Sequence, residues 1–149
     1  MNLLVNKKLH HSYEVMDTLE AGIKLTGSEI KSLRKKHGSL KEAYISVMNN
    51  EVFLVSCHIP PYQPGHKIYE NIDTYRKRKL LLHKKQIEKL KEKTKQRGLT
   101  LAPVRIYEKG NLIKIEIAVA KGKKLHDKRA DLKNRTSKRE AERAMKNNY

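Results

Sequence analysis

The sequence predicts a mainly β domain, an OB-like small antiparallel barrel with two inserted helices, followed by a disordered basic C-terminal tail. Short alternating apolar segments are separated by turn residues, as in paired antiparallel strands. The strand–helix–strand rhythm of a parallel sheet is absent. Residues 121–149 contain too few large apolar side chains to offset their own ordering entropy. We therefore expect a folded barrel over 1–120 and a tail over 121–149 that becomes helical only on a polyanion.

Two β-hairpins give the clearest strand signals. Segments 43–48 and 52–59 flank Asn49-Asn50-Glu51, and asparagine tolerates the left-handed backbone of a tight turn. Segments 104–107 and 112–119 surround Lys109-Gly110-Asn111 in the same way. The second hairpin has one clean apolar face, which predicts that this face is buried.

Further elements follow from shorter patterns. Segments 11–16 and 20–25 alternate as two short strands. Ser28 is the predicted N-cap of a helix over 29–36 that ends before Gly38. We expect residues 1–9 to form a loose lead-in.

A second helix is predicted where a basic, leucine-rich stretch leads from Arg76 into apolar residues at helical spacing and ends at Gly98. A dense run of cations, Arg76-Lys77-Arg78-Lys79, lies beside the start of this helix. A solvated helix face is the simplest explanation of such a run, but it contains no acid, and arginine grips phosphate with a fork of donors. The pattern therefore favours RNA contact.

Two carboxylates in this basic chain, Glu20 and Glu29, have two explanations. Each either forms a salt bridge or helix-end interaction, or accepts a hydrogen bond from a base or a ribose hydroxyl. Composition leaves both explanations open.

The charge indicates a polyanionic partner. The formal net charge is +18 and the isoelectric point is near 10.0, and a surface of that sign attracts phosphate. No apolar run is long enough for a membrane span, and we expect no secretory signal after Met1. The single cysteine, Cys57, fits a reducing compartment. We expect a cytoplasmic protein that does not bind membranes.

Catalytic and metal-binding patterns are weak. Cys57 and His58 are adjacent rather than spaced as zinc ligands, and no second cysteine exists. The chain has neither a glycine-rich phosphate loop nor a nucleophile elbow. His126 and Asp127 would make an acid/base pair only if a flexible tail held them in place. We expect no catalytic residue, no metal and no cofactor.

Six segments, in order along the chain, form one pattern: Asn6-Lys7, Glu20-Ala21-Gly22-Ile23, Gly27-Ser28-Glu29-Ile30-Lys31-Ser32-Leu33-Arg34, Arg78-Lys79-Leu80-Leu81-Leu82, Gly122-Lys123-Lys124 and Asp127-Lys128-Arg129. Together they resemble the SmpB (small protein B, or SsrA-binding protein) family, the bacterial partners of transfer-messenger RNA (tmRNA). The resemblance implies an OB-like barrel that is not an enzyme. Such a barrel binds the tRNA-like domain of tmRNA and brings it, with elongation factor Tu, to stalled ribosomes for trans-translation.

The resemblance also implies site residues. The positions that match the family's contacts with the tRNA-like domain are Asn6, Glu20, Leu81 and His83, with Arg76, Lys77, Arg78 and Lys79 as neighbours for phosphate. His83 stands where many relatives carry asparagine, and a neutral imidazole can still donate one hydrogen bond.

The family's tail folds into a helix in the empty mRNA channel of the small ribosomal subunit and contacts the decoding centre. The matching tail positions are Gly122, Lys123, Lys124, His126, Asp127, Lys128, Arg129 and Met145. Composition alone also allows the tail to be a non-specific electrostatic anchor.

Two other functions compete with this one. A general single-strand or ribosomal RNA-binding protein of the OB type needs only the basic run and the tyrosines. A nuclease or RNA-modifying enzyme would turn RNA over and would require a metal.

Overall fold

The computed structural model describes residues 1–62 and 73–122. The strands are β1 (Asn2–Val5), β2 (Tyr13–Ile23), β3 (Tyr44–Met48), β4 (Glu51–Val55), β5 (Arg78–Leu81), β6 (Leu99–Lys109) and β7 (Leu112–Gly122). The helices are α1 (Leu9–Ser12), α2 (Gly27–Arg34) and α3 (Lys84–Lys95).

The strands form one antiparallel sheet in the order β1-β6-β7-β2-β5-β4-β3. Cα atoms of β3, at one end of this order, come within 8 Å of β6, next to the other end. The sheet therefore curls over toward a barrel. The prediction of a mainly antiparallel β fold with inserted helices is confirmed.

The core lies inside this curved sheet. Along β7, Ile115 and Ile117 are fully buried, whereas Lys114 and Glu116 are only partly covered. This alternation follows from the two-residue period of a strand. On the opposite face of the sheet, Leu9 of α1 packs against alanines of β6 and β7 in a second small cluster.

Both predicted hairpins are present. Asn49 and Asn50 have positive φ values of 50° and 63° and connect β3 to β4, as a two-residue turn of the I′ type requires. Gly110, with φ 61°, lies in the turn between β6 and β7. Turn chemistry read from the sequence located these pairings correctly, although β6 begins five residues earlier than predicted, at Leu99 rather than at position 104.

Helix α2 begins earlier than predicted. Thr26, not Ser28, is the N-cap: its Oγ1 accepts from the Glu29 backbone N–H, and Glu29 Oε1 accepts from the Thr26 N–H at 2.9 Å. This reciprocal capping box satisfies two N–H groups at the start of the helix. The Ser28 hydroxyl instead accepts from the backbone N–H of Tyr62 at 2.7 Å.

The expectation that the second helix grows out of the basic run is wrong in one respect. Residues 78–81 form β5, which pairs with β2 and β4, and α3 begins only at Lys84. Arg78 and Leu80 point inward, whereas Lys79 and Leu81 point outward. Tertiary pairing therefore overrides the helical appearance of this stretch.

Two further differences concern the N-terminal third. Residues 13–23 form one long strand rather than two short ones, with a register shift between Val15 and Asp17. The expected lead-in contains β1, because Leu3 and Leu4 are buried in the core and pair this segment with β6.

The expected boundary between domain and tail falls near the end of the described chain. Strand β7 includes Lys121 and Gly122, which the expected division assigns to the tail. The rest of the predicted tail, residues 123–149, lies outside the described residues.

Candidate nucleic-acid interface

Glu20 lies on the outer face of β2, where its carboxylate is held by a tyrosine and a lysine. The Tyr107 hydroxyl donates to Glu20 Oε2, and Lys109 Nζ lies 3.6 Å from the same oxygen. The hydrogen bond from Tyr107, together with the charges of Lys109 and Lys114, lowers the pKa of Glu20 although some desolvation opposes this. The side chain is 40% exposed, so an ionised acceptor faces solvent at neutral pH.

Arg105 covers the ring of Tyr107. Its guanidinium carbon lies 4.1 Å from the ring centroid, Nη1 donates to Asn2 Oδ1 at 2.6 Å, and Nε lies 3.6 Å from Glu116 Oε1. Burial, and then the hydrogen bond to Glu20, raise the pKa of Tyr107 to about 12. The phenol therefore remains a donor throughout the physiological range, and it fixes the orientation of the Glu20 carboxylate.

Leu81 lies beside Glu20, and His83 follows Leu81 by two residues. Leu81 pairs in register with Gly22, which shares the outer face of β2 with Glu20. The Leu81 side chain is 54% exposed. His83 follows as the exposed N-cap residue of α3, and its backbone N–H donates to Gln86 Oε1 at 3.0 Å. A carboxylate, an apolar side chain and an imidazole thus share one solvent-facing patch, which we call the Glu20 face (Glu20, Leu81 and His83).

Asn6 lies elsewhere. It follows β1, and its Nδ2 donates to the backbone oxygen of Pro103 at 2.9 Å while its own N–H donates to Val104. Between β1 and β2 stand β6 and β7. At about 4.8 Å per strand, Asn6 is roughly 14 Å from Glu20 across the sheet. The resemblance grouped four positions, of which the fold brings three together.

The four residues predicted to contact phosphate, 76–79, differ in how exposed they are. Lys77 and Lys79 are exposed, and Lys79 Nζ lies 3.9 Å from Glu51 Oε2. Arg76 is half-buried and pairs with Glu29. Arg78 is completely buried. The prediction that Arg78 contacts phosphate is therefore wrong, because none of its surface is available.

Arg78 instead forms hydrogen bonds in the interior of the protein. Nε donates to Glu29 Oε2 at 2.6 Å, Nη1 donates to the Cys57 carbonyl at 2.7 Å, and Nη2 donates to the Thr74 carbonyl at 2.9 Å. Burial alone would raise the pKa of Glu29, but hydrogen bonds from Arg76, from the Thr26 amide and from Arg78 outweigh it and keep this pKa below its ordinary value. Glu29 thus caps α2 and neutralises a buried arginine. Of the two explanations left open for Glu29, the salt bridge is correct.

The sequence carried a signal for this role. Thr26 and Glu29 have the spacing of a capping box, which places the glutamate at the third helical position. The cross-sheet pairing of Glu20 with Tyr107 had no local signal, because the two residues are far apart in the chain and meet only through the register of β2, β7 and β6.

The described residues offer little to catalysis. Cys57 is fully buried, and burial raises the pKa of its thiol to about 12, so it is not a nucleophile. Within 1–62 and 73–122, no three His, Cys, Asp or Glu side chains are grouped to hold a metal ion. No helix in these ranges has the length and apolar character of a membrane span.

Of the predicted tail positions, only Gly122 is described. It ends β7 and pairs in register with Tyr13. The remaining tail positions lie outside the described residues: Lys123, Lys124, His126, Asp127, Lys128, Arg129 and Met145.

A strongly basic, mainly antiparallel barrel with an exposed polar and apolar face defines a class of small β domains suited to RNA. Comparison with known proteins narrows the class. The model of the SmpB protein family matches residues 3–147, so the chain belongs to the SmpB family.

Comparison with individual proteins supports membership of this family. An SsrA-binding protein of Halothermothrix orenii is 52% identical over 141 residues, covering 95% of this chain and 90% of the relative. One of Microcystis aeruginosa is 48% identical over 141 residues, covering 95% and 91%. A chain in a solved structure described as "tmRNA-SmpB: a journey to the center of the bacterial ribosome" has a TM-score of 0.67 and 40% identity, over 81% of this chain and 84% of that chain.

Proposed function

We propose that this chain is the tmRNA-binding adaptor of trans-translation, a protein that is not an enzyme. It binds the tRNA-like domain of tmRNA through its barrel and brings that RNA to stalled ribosomes. The observation that carries the proposal is family membership over residues 3–147 together with relatives named SsrA-binding proteins. By the same reasoning the protein acts in the cytoplasm.

Within this function, the Glu20 face contacts the tRNA-like domain. Glu20 accepts from a base or a ribose hydroxyl, because its carboxylate is ionised, exposed and oriented by Tyr107. Leu81 supplies apolar contact, and His83 supplies one donor. Lys77 and Lys79 lie next to this face and contact phosphate.

The other residues predicted to contact RNA have different roles. Asn6 is a separate contact on the β1 side of the barrel. Arg76, tied to Glu29, and Arg78 hold the fold. Elongation factor Tu joins the complex through the RNA rather than through this chain.

Competition binding tests the function. Equilibrium binding to a tRNA-like domain at fixed salt is competed with ordinary tRNA and with poly-U. A preference for the tRNA-like domain that survives added salt is the expected result, because shape and base-edge contacts do not release counterions. Equal competition by all three RNAs would instead support the general single-strand binder.

We propose that residues 121–149 bind the ribosome. The basic tail lies in the empty mRNA channel, becomes helical there, and contacts the decoding centre through residues that include His126 and Met145. The tail's cost of ordering is deferred until it meets ribosomal RNA. The division into a barrel over 1–120 and a tail over 121–149 belongs to this proposal.

Replacement of Asp127-Lys128-Arg129 by alanines tests the tail. We expect near-normal binding to tmRNA but failed peptide tagging on stalled ribosomes. A matched control is available, because Lys138-Arg139-Glu140 carries the same three charges. If both triple variants lose tagging equally, the tail is a non-specific anchor. If RNA binding itself collapses, the tail belongs to the primary RNA site.

A further inference from the structure

A second surface, distant from the Glu20 face, has the features of an anion-binding groove. A cavity of about 680 Å³ lies between β1 with its following turn and the segment after α2. Its polar lining comprises Asn2, Asn6, Ser39 and four lysines, Lys7, Lys8, Lys36 and Lys41. None of the described residues that line it carries a carboxylate.

The walls of this groove are fixed by the fold. Ser39 and His58 exchange backbone hydrogen bonds of 2.9 and 3.2 Å, and Leu40 is buried. Gly38 has a φ of +136°, and a Cβ there would lie 2.8 Å from the His58 carbonyl oxygen. On the other wall, Asn6 is tied to β6 through Pro103. A ligand would therefore meet a preformed surface, with little backbone left to order.

The four lysines are exposed and have no acidic partner within the part of the chain that the structure describes. Among the ion pairs of residues 1–62 and 73–122, none includes Lys7, Lys8, Lys36 or Lys41. Like charges gathered around one concavity raise its positive potential and attract a polyanion. Elsewhere on the barrel, Lys79, Lys89 and Lys109 each lie within 4 Å of a carboxylate, which offsets part of their charge.

The groove continues into a second cavity of about 580 Å³. Asn6, Lys8 and Lys41 line both cavities. The second cavity adds Tyr13 and Tyr44, one carboxylate from Glu42, and Gly122 at the end of β7. Tyr44 is 50% exposed on β3, the last strand of the sheet order. An exposed ring beside a cationic track is the arrangement by which proteins bind single-stranded nucleic acid.

We propose that this groove binds a single strand of RNA, with its phosphates along Lys36, Lys8 and Lys41 and a base stacked on Tyr44. We call it the lysine groove. It is separate from the Glu20 face, since β6 and β7 stand between β1 and β2. The strand is read through backbone and stacking, so the groove has little base preference. The track ends at Gly122, the last residue of β7.

The lysines are tested with the full chain and an oligouridylate of about 12 nucleotides. The variant Lys36→Gln/Lys41→Gln should bind it roughly tenfold more weakly at about 0.1 M salt, and the slope of log K against log salt should fall by about 1.4 for two lost phosphate contacts. The control Lys91→Gln/Lys95→Gln removes the same charge from α3 and should keep the wild-type slope. Equal slopes for the two double variants would overturn the proposal.

Stacking is tested separately. Tyr44→Ala should weaken oligouridylate binding by about tenfold, whereas Tyr75→Ala, which removes a 54% exposed tyrosine that packs on His58, should not. Backbone amide shifts on adding the oligouridylate should fall on residues 6–8, 36–41 and 44. Shifts that avoid these residues would refute the groove.

This test is independent of the proposed function. A chain without preference for a tRNA-like domain would fail as a tmRNA adaptor and could still show the amide shifts of the lysine groove. A lysine groove that binds nothing would leave the Glu20 face and its preference untouched.

Discussion

Two glutamates on neighbouring elements of this basic protein are both bound by donors, yet they have opposite roles. The Glu29 side chain is 8% exposed and the Glu20 side chain is 40% exposed. Glu29 lies among two arginines and a helix N-terminus, so its hydrogen-bonding capacity is used within the protein. Glu20 is oriented by Tyr107 but still faces solvent.

The difference shows how burial separates a structural carboxylate from one available to a ligand. A buried charge with all its partners specifies the fold, and loss of one partner leaves the other uncompensated. A half-exposed carboxylate keeps acceptor sites for an incoming base or ribose. Loss of Glu29 should therefore affect stability first, and loss of Glu20 should affect RNA binding first.

The largest expected effect is that of Glu29→Gln. The variant leaves the fully buried Arg78 without a counter-charge and should lower the free energy of unfolding by about 3–5 kcal/mol. Urea denaturation of the two proteins measures this difference. Arg76→Gln, at a half-exposed partner, should cost only about 0–1 kcal/mol. Equal losses for the two variants would contradict the central place given to Arg78.

Glu20→Gln should give the opposite pattern. The urea midpoint should stay at the wild-type value, because the side chain is exposed and the amide still accepts from Tyr107. Affinity for a tRNA-like domain should fall by about tenfold, as expected when a charged acceptor is lost from a hydrogen bond worth about 1.5 kcal/mol. Unchanged affinity would remove Glu20 from the RNA face.

Gly22→Ala should have a smaller effect on the same face. The added Cβ would lie 3.2 Å from Leu81 Cβ, so the exposed leucine must shift. We expect an affinity loss of about threefold for the tRNA-like domain, with no change in the salt slope because no phosphate contact is removed. Gly27→Ala is the matched control, since a Cβ there meets nothing within 4 Å. Similar affinities for the two alanine variants would mean that the position of Leu81 is unimportant.

Acid pH should lower the free energy of unfolding by protonating Glu29, and this loss should be smaller than the loss caused by Glu29→Gln. The pKa of Glu29 is lower in the folded protein than in the unfolded chain, so its contribution is complete above the ordinary glutamate pKa of about 4.3. The contribution is lost as the pH falls through the lowered folded value. Unfolding free energies measured from pH 7 downward should therefore fall more steeply for the wild type than for Glu29→Gln. Parallel curves would show that Glu29 has no lowered pKa.

Hairpins and turns could be predicted from sequence because their signals are local: Asn49 and Asn50 require no knowledge of the rest of the chain. The role of 78–81 could not, because Arg78 and Leu80 become inward residues only when β5 inserts between β2 and β4. Composition made this run look like a cationic surface. Arg78 of this run is fully buried, and no local pattern indicates this, because its counter-charge Glu29 lies far away in the sequence.

The candidate site likewise has one part that could be predicted from the sequence and another part that could not. Family resemblance supplied Glu20, Leu81 and His83, and the register of Gly22 with Leu81 explains why Leu81 lies next to Glu20. Nothing in the sequence indicated that Tyr107 and Arg105 support Glu20, or that lysines from positions 7–8 and 36–41 line one groove, because both depend on strand order.

The most direct test of the account is amide mapping of the labelled full chain with a tRNA-like domain. We predict that shifts and line broadening concentrate at residues 18–22 and 79–83, while the amides of Glu29, Cys57 and Arg78 remain in place. Changes centred on those three buried residues, with residues 18–22 unaffected, would contradict the division between a structural Glu29 and an RNA-facing Glu20.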